Sequence, residues 1–191
     1  NIDIMTNIPD KLKNIINKDY KIDSLTMANK QSSNIDKTIK FLLKTYDDRL
    51  IECVSIIDKS RHTICISSQI GCSVDCDFCA TGKMGIIRNL DIGEILNQLT
   101  FIDREVNKPI NNIVFMGMGE PFLNYKNVIT ACQILTDINA FDFGSKKITI
   151  STSGILPKLE KYIQEGEKYK LAISLNASNN NIRDQLIPIN K

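Results

Sequence analysis

Three cysteines stand close together in the sequence, at Cys72, Cys76 and Cys79. The spacing is too close for a framework of disulfides and suits a metal site, so we expect reduced thiols in a reducing compartment. A four-iron cluster held by three thiolates leaves one iron open, and the amino and carboxylate groups of a methionine moiety can bind there. The loop therefore predicts a [4Fe-4S] cluster that reduces the sulfonium of S-adenosylmethionine.

Zinc is the alternative metal for this loop. It usually takes four closed ligands, in paired C-x2-C or Cys/His spacing. The single histidine of the sequence, His62, precedes the cysteines and has no histidine partner. The spacing favours iron and sulfide. The alternative function is that of a zinc-stabilised RNA-binding module without catalytic activity.

Strands and helices alternate in the sequence after His62. Short apolar runs rich in Ile, Val and Leu predict strands at 63–67, 112–116, 147–151 and 170–175. Helical spacing between these runs predicts helices at 92–105, 125–138 and 156–165. The alternation is typical of an α/β fold with a parallel sheet covered by helices. When strands and helices of this kind form a barrel, the loops that follow the strands meet at one rim and build the site.

The first part of the chain lacks this alternation. Residues 8–16 have helical spacing, and two β-branched runs at 38–46 and 49–57 flank Asp47 and Asp48, which resemble a hairpin turn. We therefore expect a small α+β accessory domain at 1–60 and a core domain at 61–191.

The bulk composition does not identify a partner. The 191 residues are 42% hydrophobic, enough to bury a core, and their formal net charge is +2. A phosphate-binding face needs clustered rather than total charge. The sequence shows no signal-peptide region and no apolar run long enough to cross a bilayer, so we expect a cytoplasmic protein with no membrane partner.

Four motifs make the sequence similar to a known family. They read TICISSQIGC, FMGMGEP, STSG and IPINK, at residues 63–72, 115–121, 151–154 and 187–191. They resemble the radical S-adenosylmethionine (radical SAM) superfamily and, within it, the bacterial methyltransferases that modify C2 of adenine in 23S ribosomal RNA and transfer RNA. The resemblance covers nearly the whole chain and implies a partial (β/α) barrel of the radical SAM type, with the N-terminal α+β segment as an accessory.

The barrel of that family has six strands, and this chain ends after about four of them. The methyl-carrying cysteine of the family lies further downstream. We therefore expect that this polypeptide alone could assemble a cluster but would not methylate RNA.

The resemblance also implies which residues hold the cofactor. The Gly-Glu pair, Gly119 and Glu120, would contact the methionine ammonium, a role suited to a carboxylate at a strand end. The family's remaining cofactor contacts match Ser151, Ser174, Leu175 and Asn176. The family has histidine where this chain has Asn176, and asparagine can likewise donate and accept hydrogen bonds.

The expected chemistry follows from the target atom. C2 of adenine is electron-poor and does not attack a methyl sulfonium as an ordinary nucleophile does. The route implied by the resemblance loads a methyl group onto a cysteine, converts it to a carbon radical with a 5'-deoxyadenosyl radical and adds it to C2. Glu52 matches the family's proton acceptor, and Cys65 matches the cysteine that frees the product by closing a disulfide. We further expect a monomer served by an electron donor such as flavodoxin.

Glu52 and Cys65 also have simpler interpretations. Cys65 could be a small core residue of the first strand. Glu52 shares a strand face with Leu50 and Val54, which predicts a buried carboxylate with a raised affinity for a proton. A glutamate of an edge strand that points to water is the alternative.

A different methylation target is a further alternative. A related resistance methyltransferase modifies C8 of the same ribosomal adenine with similar machinery. The run from Gly119 to Pro121, followed by Leu123 and Asn124, looks more like the C2 enzyme.

Overall fold

A mixed β-sheet lies at the centre of the fold in the computed structural model, which describes residues 2–21 and 23–190. In chain order the helices and strands are α1 (Asp10–Asp19), β1 (Thr26–Ser32), β2 (Ile39–Lys44), β3 (Leu50–Asp58), β4 (Arg61–Cys65), β5 (Gln69–Gly71), α2 (Ala80–Lys83), β6 (Ile86–Asn89), α3 (Ile92–Glu105), β7 (Asn112–Phe115), α4 (Tyr125–Thr136), β8 (Ile148–Thr152), α5 (Leu156–Gln164), β9 (Lys170–Ile173) and α6 (Asn180–Leu186). Short 3-10 turns lie at Ile2–Ile4, Pro121–Asn124, Ser145–Lys147 and Pro188–Asn190. Lys191, the last residue of the fourth motif, lies outside the described residues.

The sheet joins an antiparallel half to a parallel half. Across the described residues its order is β1-β2-β3-β4-β7-β8-β9. Neighbours from β1 to β4 run antiparallel, and neighbours from β4 to β9 run parallel. The predicted α/β class is confirmed, because the four predicted apolar runs form the parallel strands. The helices between them lead the chain back, so that each following strand can run parallel to the one before it.

The predicted helices form close to their expected bounds. Helix α3 spans the expected residues, and its first turn is closed by a capping box in which Glu94 N donates to Asp91 Oδ1 at 2.7 Å. Helix α1 begins after Pro9, later than the pattern predicts, because proline suits the start of a helix rather than its interior. No helix formed by residues 2–21 or 23–190 has the length and apolar character to cross a membrane.

One face of the parallel strands is completely buried. Ile64, Ile113 and Ile148 have no exposed surface and belong to one hydrophobic core. Ile95 of α3 and Leu135 of α4 belong to the same core. These helices therefore cover that face of the sheet, and their apolar stripes supply the other side of the core.

The opposite face of the sheet is only half-buried. Strand register places Cys65 opposite Val54 on one side and Val114 on the other, so their side chains share this face. We call it the open face and define it by the half-buried side chains of Glu52, Cys65, Val114, Ser151 and Ala172.

The N-terminal strands continue the same sheet. Strand β3 pairs with β4, and Phe41 and Ile51 belong to the same core as Ile64. The predicted turn at Asp47 and Asp48 joins β2 to β3, and Asp48 takes a left-handed φ of 59° there. Strand β1 was not predicted from the sequence, because all its residues are exposed and show no apolar alternation. The division of the chain at residue 60 remains a prediction.

A small hairpin of β5 and β6 carries the cysteine loop between its strands. The Arg88 guanidinium on β6 anchors this hairpin, donating to Asp47 at 2.8 and 2.9 Å and to Glu94 at 2.7 and 2.8 Å. Asp47 lies in the N-terminal hairpin and the completely buried Glu94 in α3. The cysteine loop therefore extends from a hairpin that is bonded both to the N-terminal hairpin and to α3.

Candidate functional site

A cavity of about 340 Å³ lies where the parallel strands end. It brings together most of the residues that the sequence predicts for the site. Its lining includes Cys72, Cys76, Cys79, Gly119, Glu120, Ser151, Ser174 and Asn176. Leu175 is 62% exposed and is not among the lining residues, while Glu52 and Cys65 lie on the open face.

The cysteine loop brings three thiols to this cavity. Burial raises the pKa of the Cys72 and Cys76 thiols, and nearby thiols raise these pKa values further. Three thiolates in such a setting repel one another unless positive charge compensates them, and a coordinated metal does so while deprotonating the thiols outright. All six cysteines of the chain are free, so none of these thiols is tied up in a disulfide.

The number of thiols at the cavity suits a four-iron cluster. Zinc usually takes four protein ligands around a single centre, with sulfur about 2.3 Å away. A cluster binds each thiolate through a separate iron, so the three thiols that line the cavity would leave the fourth iron open. The loop and the cavity beside it therefore fit a [4Fe-4S] group.

The turn after β7 packs against the start of β5 without room for a side chain. Gly119 has a φ of 92°, and a Cβ placed there would lie 2.4 Å from Gln69 Cβ. Glu120 N donates to Gln69 Oε1 at 2.8 Å, and Gln69 Nε2 donates to Asn89 Oδ1 at 2.7 Å. Glycine is required here by both the left-handed backbone and the close approach.

A pair of alanine substitutions separates these two requirements. Gly166 also has a positive φ, of 65°, but has open space around its Cβ position. Gly166→Ala should cost about 1–2 kcal/mol of backbone strain. Gly119→Ala should cost about 1–3 kcal/mol more, because overpacking against Gln69 is added. Urea denaturation of both variants checks this, and equal losses in the free energy of unfolding would contradict the packing argument.

The Glu120 carboxylate is held in place by hydrogen bonds from the protein itself. It is 5% exposed and accepts hydrogen bonds from Phe122 N at 2.9 Å, Ser153 N at 2.7 Å and Ser153 Oγ at 2.9 Å. A carboxylate offers about four lone-pair positions. One position is therefore left for a donor in the cavity, and the fixed negative charge suits a cationic donor such as an ammonium group.

The ends of β8 and β9 contribute hydroxyl and amide groups to the cavity. Ser151 Oγ on β8 lies 3.3 Å from Oγ of Ser174, the residue directly after β9. Asn176 takes a left-handed φ of 59° and lines the cavity. Asparagine adopts this conformation more readily than most residues, so it suits a turn directly after a strand.

On the open face, Cys65 and Glu52 lie on adjacent strands. Burial raises the pKa of the Cys65 thiol to about 11. The expected burial of Glu52 is wrong, since its side chain is 42% exposed and Glu52 Oε1 lies 2.9 Å from Lys40 Nζ. Its neighbours on the same face, Leu50 and Ile56, are also exposed, at 42% and 39%, so the apolar run does not enclose the carboxylate.

Sequence reasoning missed a buried polar scaffold beneath the site. Ser67 Oγ donates to Glu52 O at 2.6 Å and accepts from Met118 N at 2.9 Å. The Gln98 amide makes two bonds to the Ser67 backbone, at 2.7 and 2.9 Å. Asn124 Nδ2 donates to the carbonyls of Ser68 and Leu90, each at 2.8 Å. The available signal was the polar residue type at positions inside apolar segments.

Comparisons with known proteins agree with this geometry. The family model described as "Radical SAM superfamily" matches residues 66–189. The chain is 44% identical, over its whole length, to a protein of Thermotoga maritima named "Probable dual-specificity RNA methyltransferase RlmN", and 49% identical over 81% of its length to a protein of the same name from Dictyoglomus turgidum. A solved structure described as a radical SAM methyltransferase from Sphaerobacter thermophilus superposes with a TM-score of 0.91 over 98% of the chain, at 39% identity.

The chain spans about half the length of the relatives that it matches. It covers 56% of the Thermotoga maritima protein, 45% of the Dictyoglomus turgidum protein and 56% of the solved chain. The similarity to methyltransferases therefore concerns the part that holds the cavity and the cysteine loop.

Proposed function

The chain belongs to the Radical SAM superfamily, and from this premise we propose that it forms the cofactor-binding part of an RNA methyltransferase. Cys72, Cys76 and Cys79 would hold a [4Fe-4S] cluster, and S-adenosylmethionine would bind beside it. The observation that carries the proposal is the cavity of about 340 Å³, which these thiols line together with Glu120 and Ser151.

The side chains of this cavity would bind and orient the cofactor. When bound, the cluster supplies the electron that cleaves the sulfonium of S-adenosylmethionine. Glu120 offers its free lone pair to the methionine ammonium, with Gly119 keeping the turn close to Gln69. The hydroxyl groups of Ser151 and Ser174 and the amide of Asn176 offer hydrogen bonds to the rest of the cofactor, next to Leu175, which is 62% exposed.

Cys65 and Glu52 would act from the open face on the covalent adduct that the route implied by the resemblance forms between RNA and the methyl-carrying cysteine. With a pKa of about 11, the Cys65 thiol stays protonated at neutral pH and needs a base before it can form a disulfide. Glu52 lies diagonally across the strands from Cys65, a separation of about 7–8 Å in a sheet. Its ion pair with Lys40 would have to open before the carboxylate could take a proton.

The substrate and partners complete the proposal. The names of the relatives support RNA as the substrate, and the resemblance of the motifs supports C2 of adenine in 23S ribosomal RNA and transfer RNA. A cytoplasmic monomer reduced by a donor such as flavodoxin is part of the same proposal. So is the division into an accessory domain at 1–60 and a core at 61–191, and the family model starts close to that boundary, at residue 66.

Anaerobic reconstitution of the chain with ferrous iron and sulfide tests the cofactor site. We expect broad brown absorbance and, after reduction, an electron paramagnetic resonance signal that changes when S-adenosylmethionine is added. The reason is that only an open iron can take the amino and carboxylate groups. A zinc-containing protein without this absorbance would instead support the zinc-stabilised module.

Mass spectrometry of RNA nucleosides tests the reaction itself. The protein as it exists in the cell should convert adenosine to 2-methyladenosine in 23S ribosomal RNA and transfer RNA. Detection of 8-methyladenosine would favour the C8 enzyme. Unmodified RNA, recovered from a sample that does contain the cluster, would contradict the proposed reaction while leaving the cofactor site in place.

A further inference from the structure

A short segment at residues 180–190 joins the cysteine loop to the far side of the cavity. We infer that this segment is a brace and that Arg183 is a positioning residue within it, which fixes the ends of β8 and β9 where S-adenosylmethionine binds. The inference rests on the proposed function, because it concerns how that cavity keeps its shape.

The Arg183 guanidinium binds backbone carbonyls at the ends of two neighbouring strands. Its Nε donates to Leu175 O at 3.1 Å, and its Nη2 donates to Ser174 O at 3.4 Å. The same Nη2 donates to Ser153 O, and Nη1 donates to the Asn190 side chain. A single cation therefore ties the residues after β8 to the residues after β9.

Ser153 passes this constraint on to Glu120. While the Ser153 carbonyl accepts from Arg183, Ser153 N and Oγ both donate to Glu120 Oε2, at 2.7 and 2.9 Å. The position of Ser153 therefore decides where the buried carboxylate points. A shift of this serine would move the negative charge that is proposed to meet the cofactor's ammonium.

The other end of the brace holds the cysteine loop. Ile187 has no exposed surface and packs in a small cluster with Cys72 and Val74. Asp77 N donates to Leu186 O at 2.9 Å, which adds a backbone bond between the loop and the segment. One short segment therefore sets the thiols and the cofactor loops relative to each other.

Lysine could not replace this arginine in its role. A guanidinium carries five N–H donors in a rigid planar fork, and four acceptors surround it here. An ammonium on a flexible stem is a single point charge and cannot span carbonyls on two strands. Both Arg183→Lys and Arg183→Gln should therefore loosen the two strand ends, and the lysine variant retains the positive charge.

The test compares these variants with Arg104→Gln in the reconstituted chain. Arg104 is 53% exposed and pairs with Asp23, so its loss removes an arginine ion pair away from the cavity. We expect about tenfold weaker binding of S-adenosylmethionine in both Arg183 variants, with unchanged iron content, and unchanged binding in Arg104→Gln. In the chain without a cluster, hydrogen exchange should speed up at the amides of Ser153 and Ser174 and stay slow at Asp77.

Three results would contradict the inference. Binding within twofold of the unsubstituted chain in the Arg183→Lys variant would overturn it. So would a loss of iron in parallel with the loss of binding, or faster exchange throughout the chain, since either would mark a general structural defect. If the unsubstituted chain assembles a cluster but does not bind S-adenosylmethionine, the proposed function fails, and this result is distinct from a failure of the variants alone.

Discussion

Cys76→Ser is expected to abolish cluster assembly, with bound iron falling to background after anaerobic reconstitution. A serine hydroxyl is a poor substitute for a thiolate, and the loop supplies only three thiolates, so each of them holds an iron that no other loop residue can take over. Cys76 is half-buried at the cavity wall, so the exchange should leave the hydrophobic core intact. Iron and sulfide analysis, together with visible absorbance, measures the effect.

Cys132→Ser is the matched control for this loss. Cys132 lies in α4 with no exposed surface and belongs to the core beneath the sheet. Its exchange should lower the free energy of unfolding by about 1 kcal/mol, because a hydroxyl is buried, and should leave iron content unchanged. If Cys132→Ser lost iron as completely as Cys76→Ser, or if Cys76→Ser kept its iron, the assignment of the cluster to the loop would be wrong.

Glu120→Gln is expected to weaken binding of S-adenosylmethionine by about 10–100-fold, since a hydrogen bond to a charged group is lost. It should also lower the free energy of unfolding by about 1–3 kcal/mol. The carboxylate accepts from Phe122 N and twice from Ser153, and an amide has one oxygen, so its NH2 group must face a donor. Equilibrium dialysis of the reconstituted chain and urea denaturation measure the two effects.

Glu94→Gln separates the structural effect from the loss of the ligand contact. Glu94 is likewise a buried carboxylate with several donors, since it accepts from Arg88 at 2.7 and 2.8 Å and from Asp91 N at 3.0 Å. This variant should lose stability to a similar degree and keep its affinity for S-adenosylmethionine. Equal losses of affinity in Glu94→Gln and Glu120→Gln would argue that general destabilisation, not the ammonium contact, explains the result.

The parallel part of the fold could be predicted because its signals are local. Buried parallel strands read as short apolar runs, and the helices between them carry an apolar stripe, so β7, β8, α3 and α4 follow from the sequence pattern alone. Strand β1 gives no such signal because all its residues are exposed. The β5–β6 hairpin could not be predicted, because its strands are short and are separated by the whole cysteine loop rather than by a recognisable turn.

The candidate site divides in the same way. The cysteine loop and the Gly119–Glu120 turn are contiguous in sequence, and spacing is enough to find them. Gln69 and Arg183 bind groups that are distant along the chain, and such contacts arise only when the fold brings the strand ends together. The predicted burial of Glu52 failed for the same reason, because alternation along a strand tells which residues share a face but not what covers that face.

The two outer strands of the sheet differ in how well they resist self-association. In the described part of the chain, β1 and β9 are the outer strands. Strand β1 has a bulge near Met27 and carries Lys30, features that discourage a second chain from adding on. The β9 end carries Ile173 and Leu175, which are 46% and 62% exposed, at the outer edge of the sheet. The purified polypeptide should therefore self-associate through β9, and a further strand paired with β9 would improve its solubility.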